Sequence, residues 1–544
     1  MKSFFSLALA LCGAVLLTGC PDTGIICQAG TVRCGQGCVD SNADAKNCGG
    51  CGSACRSGEV CSAAACVCAA GTFSCNGECV VRDNDVKNCG ACGKACAMGE
   101  VCEAGACKLG CTASPTSTLC GTSCVNFGTD AMNCGACNVK CENSQSCHAG
   151  RCTYDLVAAC FSSGQVVGLQ ASTEFRGPAE ALGTAPQSLA ALNGVLLSLD
   201  GIDQRLYQAR LRSVGGRAFA KLLEENKTGS APNQVVVDGQ RVYVVNSASG
   251  TLQVLGAPTV NVDGGGEVGD AGISGGQALT TLSEINLGAN TYPQGLAKVG
   301  NNAWIPLYGG FGAANAGAGQ KVVRVDVTDP TLPIVRETID LSTLNLKPFD
   351  GGSPVARPYA ILARNGNVYV ALNNLNATTY VPEGPGLLAK IDLLSKAVTV
   401  IDLGGDKCLN PGWLASDGVN LLVSCLGAAE YSGAPDFALL RTAKSGVVLL
   451  DTNDQRRGTW EPSCPAGADG GPGCTPILPS RFTVSNGRAY VGDQNGGRVF
   501  VLDIVGTQLV ERRGYFGDAG LPISACAPDP VTGIANVSDV FAVP

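Results

Sequence analysis

A chain of 544 residues with 74 glycines, 32 cysteines and only 5% aromatic side chains has length for several domains and is not the composition of one ordinary globule. Its formal net charge of -8, with no basic run, argues against nucleic acid or anionic lipid as the main partner. A single histidine, His148, excludes chemistry that needs two imidazoles.

The chain opens on one basic residue, Lys2, followed by an apolar stretch from Phe4 to Leu17. This is the layout of a secretory signal and falls short of the about 20 apolar residues a membrane span needs. Leu17-Thr18-Gly19-Cys20 closes the stretch and resembles the lipobox of bacterial lipoproteins. The resemblance implies that residues 1–19 are removed and that Cys20 takes a diacylglyceryl group. Residues 20–26 are then a lipidated tether, and the protein is exported and held in the cell envelope, at the outer membrane or the cell surface. The alternative is an ordinary signal peptide with an incidental cysteine.

Twenty-four cysteines fall between Cys27 and Cys152 in three units, 27–66, 67–107 and 108–152. The first places them at 27, 34, 38, 48, 51, 55, 61 and 66; the second repeats every interval 41 residues later. The third differs only in a first interval longer by two. Such agreement makes each unit one module. Between the cysteines lie small and polar residues, so a module has almost no apolar core and must be stapled. Outside the cytosol the even count points to four disulfides per module, among 105 possible connectivities that sequence does not decide. The rival is metal at the Cys-x-x-Cys of Cys48-Gly49-Gly50-Cys51 and its counterparts; no second such pair completes a zinc site within a module, and the spacing fits neither ferredoxin pattern.

Asp44-x-x-Asn47-Cys48-Gly49-x-Cys51-Gly52-x-x-Cys55, followed by Gly58-x-x-Cys61 and Cys66, resembles the repeat of the plant stigma-specific cysteine-rich proteins and of cysteine-rich surface lipoproteins from myxobacteria. The resemblance covers about a quarter of the chain. It implies an extracellular interaction module without a catalytic group, in which His148 is an exposed residue and not a ligand.

From 153 to 544 the texture changes to short β-rich runs separated by Gly, Asn and Asp turns. Pro232 to Asn246, around Asp238-Gly239, has the same form as Pro358 to Asn373 around Asn365-Gly366 and Pro479 to Asp493 around Asn486-Gly487. Looser copies begin at Pro186, Pro293, Pro411 and Pro530. Each predicts strand, two-residue turn, strand, with third and fourth strands following. The fold class is therefore mostly β: three small disulfide-rich modules and a seven-bladed β-propeller. The Tyr-Val-x-Asn ending of the second strand resembles the Tyr-Val-Thr-Asn class of bacterial surface propellers. The last unit offers two strands, Val531 to Asn536 and Val540 to Val543, and Gly164 to Leu169 supplies outer strands, with Leu156 to Cys160 as another candidate. In this scheme Cys160 pairs with Cys526 as a staple of the ring, Cys408 with Cys425, and Cys464 with Cys474 across a surface loop.

Connections between second and third strands are long in blades three, four and five: Gly309 to Gln320, Asn373 to Gly386 and Leu426 to Ser445. Together they predict a rim carrying Tyr308, Phe311, Tyr380, Tyr431 and Phe437 beside Asn315, Asn373, Asn374 and Asn376, a set suited to a glycan or protein partner. Tolerated surface insertion is the plainer reading. The acidic, Gly-rich insert 262–276 is a flexible loop whose Asp263, Glu267 and Asp270 match no calcium-loop spacing. No pattern calls for a cofactor or a metal, and a propeller without histidine cannot run Ser-His-Asp catalysis. The loop carboxylates Glu383, Glu430 and Asp436 lack a partner at a diagnostic spacing. The expectation is a non-catalytic recognition or adhesion protein, membrane-anchored through Cys20, with the modules as a stalk that presents the propeller. The alternatives are a lactonase-like or sugar-acting enzyme and a structural subunit of an envelope assembly.

Overall fold

The computed structural model describes residues 27–543 apart from 28–29, 36, 98–99, 110–116, 122, 142–144, 149, 172–174, 212–219, 258–277, 311, 432–438, 463–476, 513–522 and 531–532. Cys20, Phe311, Asp436, Phe437, Cys464, Cys474 and the 262–276 insert lie outside the described residues. The chain groups into two compact units, Met1–Asn126 and Phe127–Pro544.

Each module is two short hairpins, as in the second, where Phe73–Cys75 pairs with Glu78–Val80 and Glu100–Glu103 with Ala106–Leu109. Numbering the cysteines of a module one to eight, the bridges join one to three, two to five, four to seven and six to eight. In the first module these are Cys27–Cys38, Cys34–Cys51, Cys48–Cys61 and Cys55–Cys66. The second repeats them as Cys68–Cys79, Cys75–Cys92, Cys89–Cys102 and Cys96–Cys107. The third has Cys134–Cys147 and Cys141–Cys152, while Cys120, Cys124 and Cys137 are also disulfide-bonded. Sulfurs that crowd together, such as those of Cys89, Cys96 and Cys107, belong to neighbouring bridges.

The Asp-x-x-Asn-Cys-Gly signature is a hydrogen-bonded clamp. Asp44 accepts the Lys46 amide (2.8 Å) and the Asn47 side-chain amide (3.0 Å), and Asn47 Oδ1 accepts the Gly52 amide at 2.9 Å. Asp85 with Asn88 and Asp130 with Asn133 repeat the bonds. The bond from Asn47, then that from the Lys46 amide, holds the Asp44 carboxyl below its ordinary range. Gly49 stands at φ 73°, and a Cβ there would lie 2.7 Å from the Ala64 carbonyl, so only glycine lets the loop between the hairpins pack on the turn of the second.

Seven four-stranded antiparallel units form the propeller, the sixth gaining a short fifth strand, Ile523–Ser524. Innermost strands are Pro186–Leu192, Pro232–Asp238, Ala297–Val299, Pro358–Arg364, Pro411–Ser416, Pro479–Ser485 and Val537–Ala542 for blades one to seven. Asn193-Gly194, Asn365-Gly366 and Asn486-Gly487 have φ between 49° and 76°, as type I′ turns require. Second strands such as Arg241–Asn246 and Arg488–Asp493 are buried on both faces, which explains their continuous apolar runs. Fourth strands such as Ile334–Asp340 are half exposed. Each fully buried Val or Leu of the second strands contributes about 1.5 to 3 kcal/mol. The only helix among the described residues is the single turn Ala313–Ala316, and none is long and apolar enough to cross a membrane.

Blade seven closes differently from the expectation. It takes one strand from the C-terminal side, Val537–Ala542, and three from the start of the domain: Leu156–Cys160, Gln165–Gln170 and Phe175–Ala181. Residues 533–536 carry no strand, because Asp529 and the 533–534 segment close a tight turn and Asn536 turns its Oδ1 to the amide and hydroxyl of Ser162, both at 2.8 Å. Cys160–Cys526 and Cys408–Cys425 are bonded. The last hairpin of the third module groups with the propeller, where Gln170 Nε2 donates to Ser146 Oγ at 2.7 Å and to Asp155 at 2.6 Å.

Candidate functional site

In blades one, two, four, five and six the repeated proline is the first residue of the inner strand. Residues one or two positions beyond it, Gln187, Asn233, Tyr359, Trp413 and Arg481, line a cavity of about 220 Å³ together with Phe161, Gln494, Asn536, Val537 and Ser538. Six blades thus contribute to one channel mouth. Its polar side is an amide belt: Gln187 Nε2 donates to Asn233 Oδ1 (2.7 Å), and Asn233 Nδ2 donates to the Gln294 carbonyl (2.6 Å) and to its Oε1 (2.7 Å).

Arg481 forms the floor. It is 6% exposed, its guanidinium sits 4.1 Å from the ring centroid of Trp413, and its Nη1 donates to the Gln187 carbonyl at 3.2 Å. Its Nε and Nη2 find no acceptor among the described residues, and neither does Trp413 Nε1. Buried donors without partners are rare because each carries an uncompensated desolvation cost of about 1 to 3 kcal/mol. Burial disfavours the charge on Arg481, and the nearest compensation is Asp539 of the closing strand. Asp539 is 7% exposed and accepts the Leu189 amide at 2.8 Å. Burial pushes its carboxyl up to about 6, against the opposing pull of Arg481. A second cavity of about 180 Å³, lined by Asp539, Ser188, Gln234 and Thr483, shares Arg481 and Trp413 with the first.

A stack of rings and guanidinium groups runs outward from this floor. Trp413 meets Tyr359 (4.7 Å between centroids), Tyr359 meets Tyr308 (5.9 Å), and Arg357 lies 5.0 Å from the Tyr308 centroid and 5.1 Å from that of Tyr380. Arg357 is fully buried, and its Nη1 donates to the carbonyls of Gly309 (3.0 Å) and Gly310 (2.9 Å) and its Nη2 to that of Ala377 (3.3 Å). One cation thereby ties the long loops of blades three and four together. Replacing it by methionine, Arg357→Met, leaves those carbonyls unanswered, and a loss of about 3 kcal/mol in urea unfolding is expected. An unchanged midpoint would mean that the loops hold without it.

The predicted rim is largely this scaffold. Tyr308 is half-buried, with its hydroxyl pushed up by desolvation, and the Tyr380 hydroxyl accepts the Gly312 amide at 2.8 Å. Asn373 and Asn374 are buried: Asn373 Nδ2 donates to Asn410 Oδ1 and to the Pro411 carbonyl, and Asn374 Nδ2 to the Pro385 carbonyl at 2.7 Å. The amide nitrogens of both thereby hold loop backbone. Asn315 accepts from Asn290, and Asn376 caps the 378 and 379 amides. Glu383 accepts from the Ser353 amide and from Asn376 Nδ2. Tyr431, 52% exposed, stands with Glu430 on an added hairpin, Ala428–Tyr431 with Leu439–Ala443. The floor residues Arg481, Trp413 and Asp539 were absent from the sequence expectation. Their signal was positional: polar or aromatic side chains recur just after the repeated proline, where an apolar inner strand would be expected.

No curated protein matches this chain in sequence. Among solved structures it is similar to apo AztD from Citrobacter koseri, at 13% identity over 71% of this chain and 97% of that one, with a TM-score of 0.43. It is similar to a candidate 6-phosphogluconolactonase from Bacteroides fragilis, at 12% identity over 72% and 97% with a TM-score of 0.44. Sqt1 of Saccharomyces cerevisiae matches at 11% identity over 72% and 93%, with a TM-score of 0.42. Within the cysteine-rich region, residues 105–155 match the stigma-specific STIG1-like protein family.

Proposed function

We propose that this disulfide-rich, exported protein is a membrane-anchored recognition module, held by a lipid on Cys20, whose propeller binds a small solute at the channel mouth. The cysteine-rich modules separate the anchor from the propeller along the chain and offer a surface for protein contacts. One observation carries the reading of the mouth: three buried N–H donors, two on Arg481 and one on Trp413, have no acceptor and border the same cavity. An acceptor-bearing solute in the cavity would relieve that desolvation cost.

The test is a thermal-shift screen of small polar solutes on the full oxidised protein, beside Arg481→Lys, which keeps the charge and loses the planar fork. A true ligand at 100 times its Kd stabilises by about 2.7 kcal/mol, and the shift disappears in the variant. Hits that persist in Arg481→Lys overturn the site. Cys20→Ser is expected to move the protein from the membrane to the soluble fraction, and retention at the membrane would overturn the anchor.

A further inference from the structure

The donor set at the channel mouth is selective about what it can take, and this inference rests on the binding reading above. Arg481 Nε, Arg481 Nη2 and Trp413 Nε1 are donors only, so what answers them presents acceptor oxygens, and the two oxygens of an oxyanion match the Nε–Nη2 edge of a guanidinium best. Charge restricts it further. Among the described residues Arg481 is the one cation lining either cavity, and Asp539 shares the inner cavity with it, so these residues supply at most one net positive charge and suit a monoanion better than a phosphate dianion. Size restricts it again: about 220 Å³ holds roughly seven waters at about 30 Å³ each and lies below the ~300 Å³ where pockets for drug-sized ligands begin. Its walls combine the half-buried rings of Phe161 and Tyr359 with the amides of Gln187, Asn233 and Gln494. That is an apolar face for a ring and a polar belt for hydroxyls.

We infer that the channel mouth binds a sugar acid of the hexuronate type, its carboxylate on Arg481 and Trp413 Nε1, its ring against Tyr359 and Phe161, and its hydroxyls on the amide belt. Occupancy is tuned by Asp539. Around that carboxyl, the strand Pro479–Ser485 contributes Arg481, the strands Arg488–Asp493 and Arg498–Val505 carry the ion pairs Asp493–Arg498 and Arg488–Asp503, and the flanking strands Pro186–Leu192 and Leu156–Cys160 contain no charged residue. Above about pH 6 an ionised Asp539 competes for Arg481 and repels the ligand. Below it Asp539 is neutral while a sugar carboxylate remains ionised down to about pH 4, so binding tightens as pH falls through 6.

The experiment is calorimetric titration of the full oxidised protein with D-glucuronate and D-galacturonate at pH 5.0 and 7.5, with glucose, glucose 6-phosphate and benzoate as controls. Expected are uronate binding at least 100-fold tighter than glucose, a roughly tenfold loss from pH 5.0 to 7.5, and abolition of that pH dependence in Asp539→Asn. Arg481→Gln loses at least 100-fold; should it fail to fold by circular dichroism, Trp413→Phe removes only the indole donor and is expected to cost about tenfold. Equal binding of glucose, tighter binding of glucose 6-phosphate or benzoate, or an unaltered affinity in Trp413→Phe overturns the assignment. If uronates fail while other solutes still depend on Arg481, the sugar-acid assignment falls alone; if no solute depends on Arg481, the binding reading falls with it.

Discussion

Removing the bridge between Cys160 and Cys526 is expected to destabilise the propeller by about 5 kcal/mol, the largest single effect available in the ring. The bridge spans 366 residues, and both sulfurs are buried in the closing blade, Cys160 at 0% and Cys526 at 4% exposed. In the chain-entropy account a loop of that length restricts the unfolded ensemble by roughly 6 kcal/mol, with measured values commonly lower. The native ring needs this help at one place. Every other blade is formed from one continuous stretch of chain, but blade seven joins Val537–Ala542 to Leu156–Cys160, elements from opposite ends of the domain. The double variant Cys160→Ala with Cys526→Ala should therefore lower Tm by about 6 °C for a domain of this size. Cys408–Cys425 spans only 17 residues within one blade, and the same account gives about 3 kcal/mol for its removal. Differential scanning calorimetry of the two double variants decides the matter. If removal of Cys408–Cys425 costs as much as or more than that of Cys160–Cys526, ring closure does not depend on the long-range staple.

What could be seen in the sequence follows from how local each cause is. Cysteine intervals repeat because each bridge fixes the length of the loop beneath it, so the modules were visible at once. Their connectivity was not, since it depends on where Gly49 and its counterparts allow two backbones to meet. Blade number was visible because a proline and an Asn-Gly or Asp-Gly turn punctuate five of the inner hairpins at similar intervals. The closing blade was misjudged by one strand because Val531 to Asn536 has an acceptable β pattern, and only the turn at Asp529 with the long-range Asn536–Ser162 bonds removes it. The contacts of the rim residues were not legible for a related reason. Long loops with aromatics and amides resemble a binding surface; in the fold Tyr308 and Tyr380 lie beside the buried Arg357 guanidinium, and Asn373 and Asn374 donate to the Pro411 and Pro385 carbonyls. Conversely, the channel mouth draws one residue from each of several blades, from Gln187 to Ser538. No window of sequence contains it; only the ring brings it together.

The same logic gives the second large effect, in the modules. Removing one bridge from the second module, Cys89→Ala with Cys102→Ala, is expected to unfold that module entirely. Its interior consists of sulfur and little else: Cys89 is 0% exposed, Val101 1%, Cys75 5% and Cys102 6%. Ordering about 40 residues opposes folding by about 1 to 2 kcal/mol each, and hairpins of three or four residues return little of that. The difference is made by constraint on the unfolded chain, about 2 to 4 kcal/mol per bridge, so the loss of one consumes the margin. Gly90→Ala should do the same without touching a sulfur, because a Cβ there overlaps the Gly105 carbonyl where the loop between the hairpins packs on the turn of the second. Limited proteolysis followed by mass spectrometry would place new cleavages between Cys68 and Cys107 in both variants, with the propeller fragment intact. A module that resists protease in Gly90→Ala would show that the hairpins can part without loss of the fold. Resistance in the cysteine variant would mean that something other than the bridges holds these residues together.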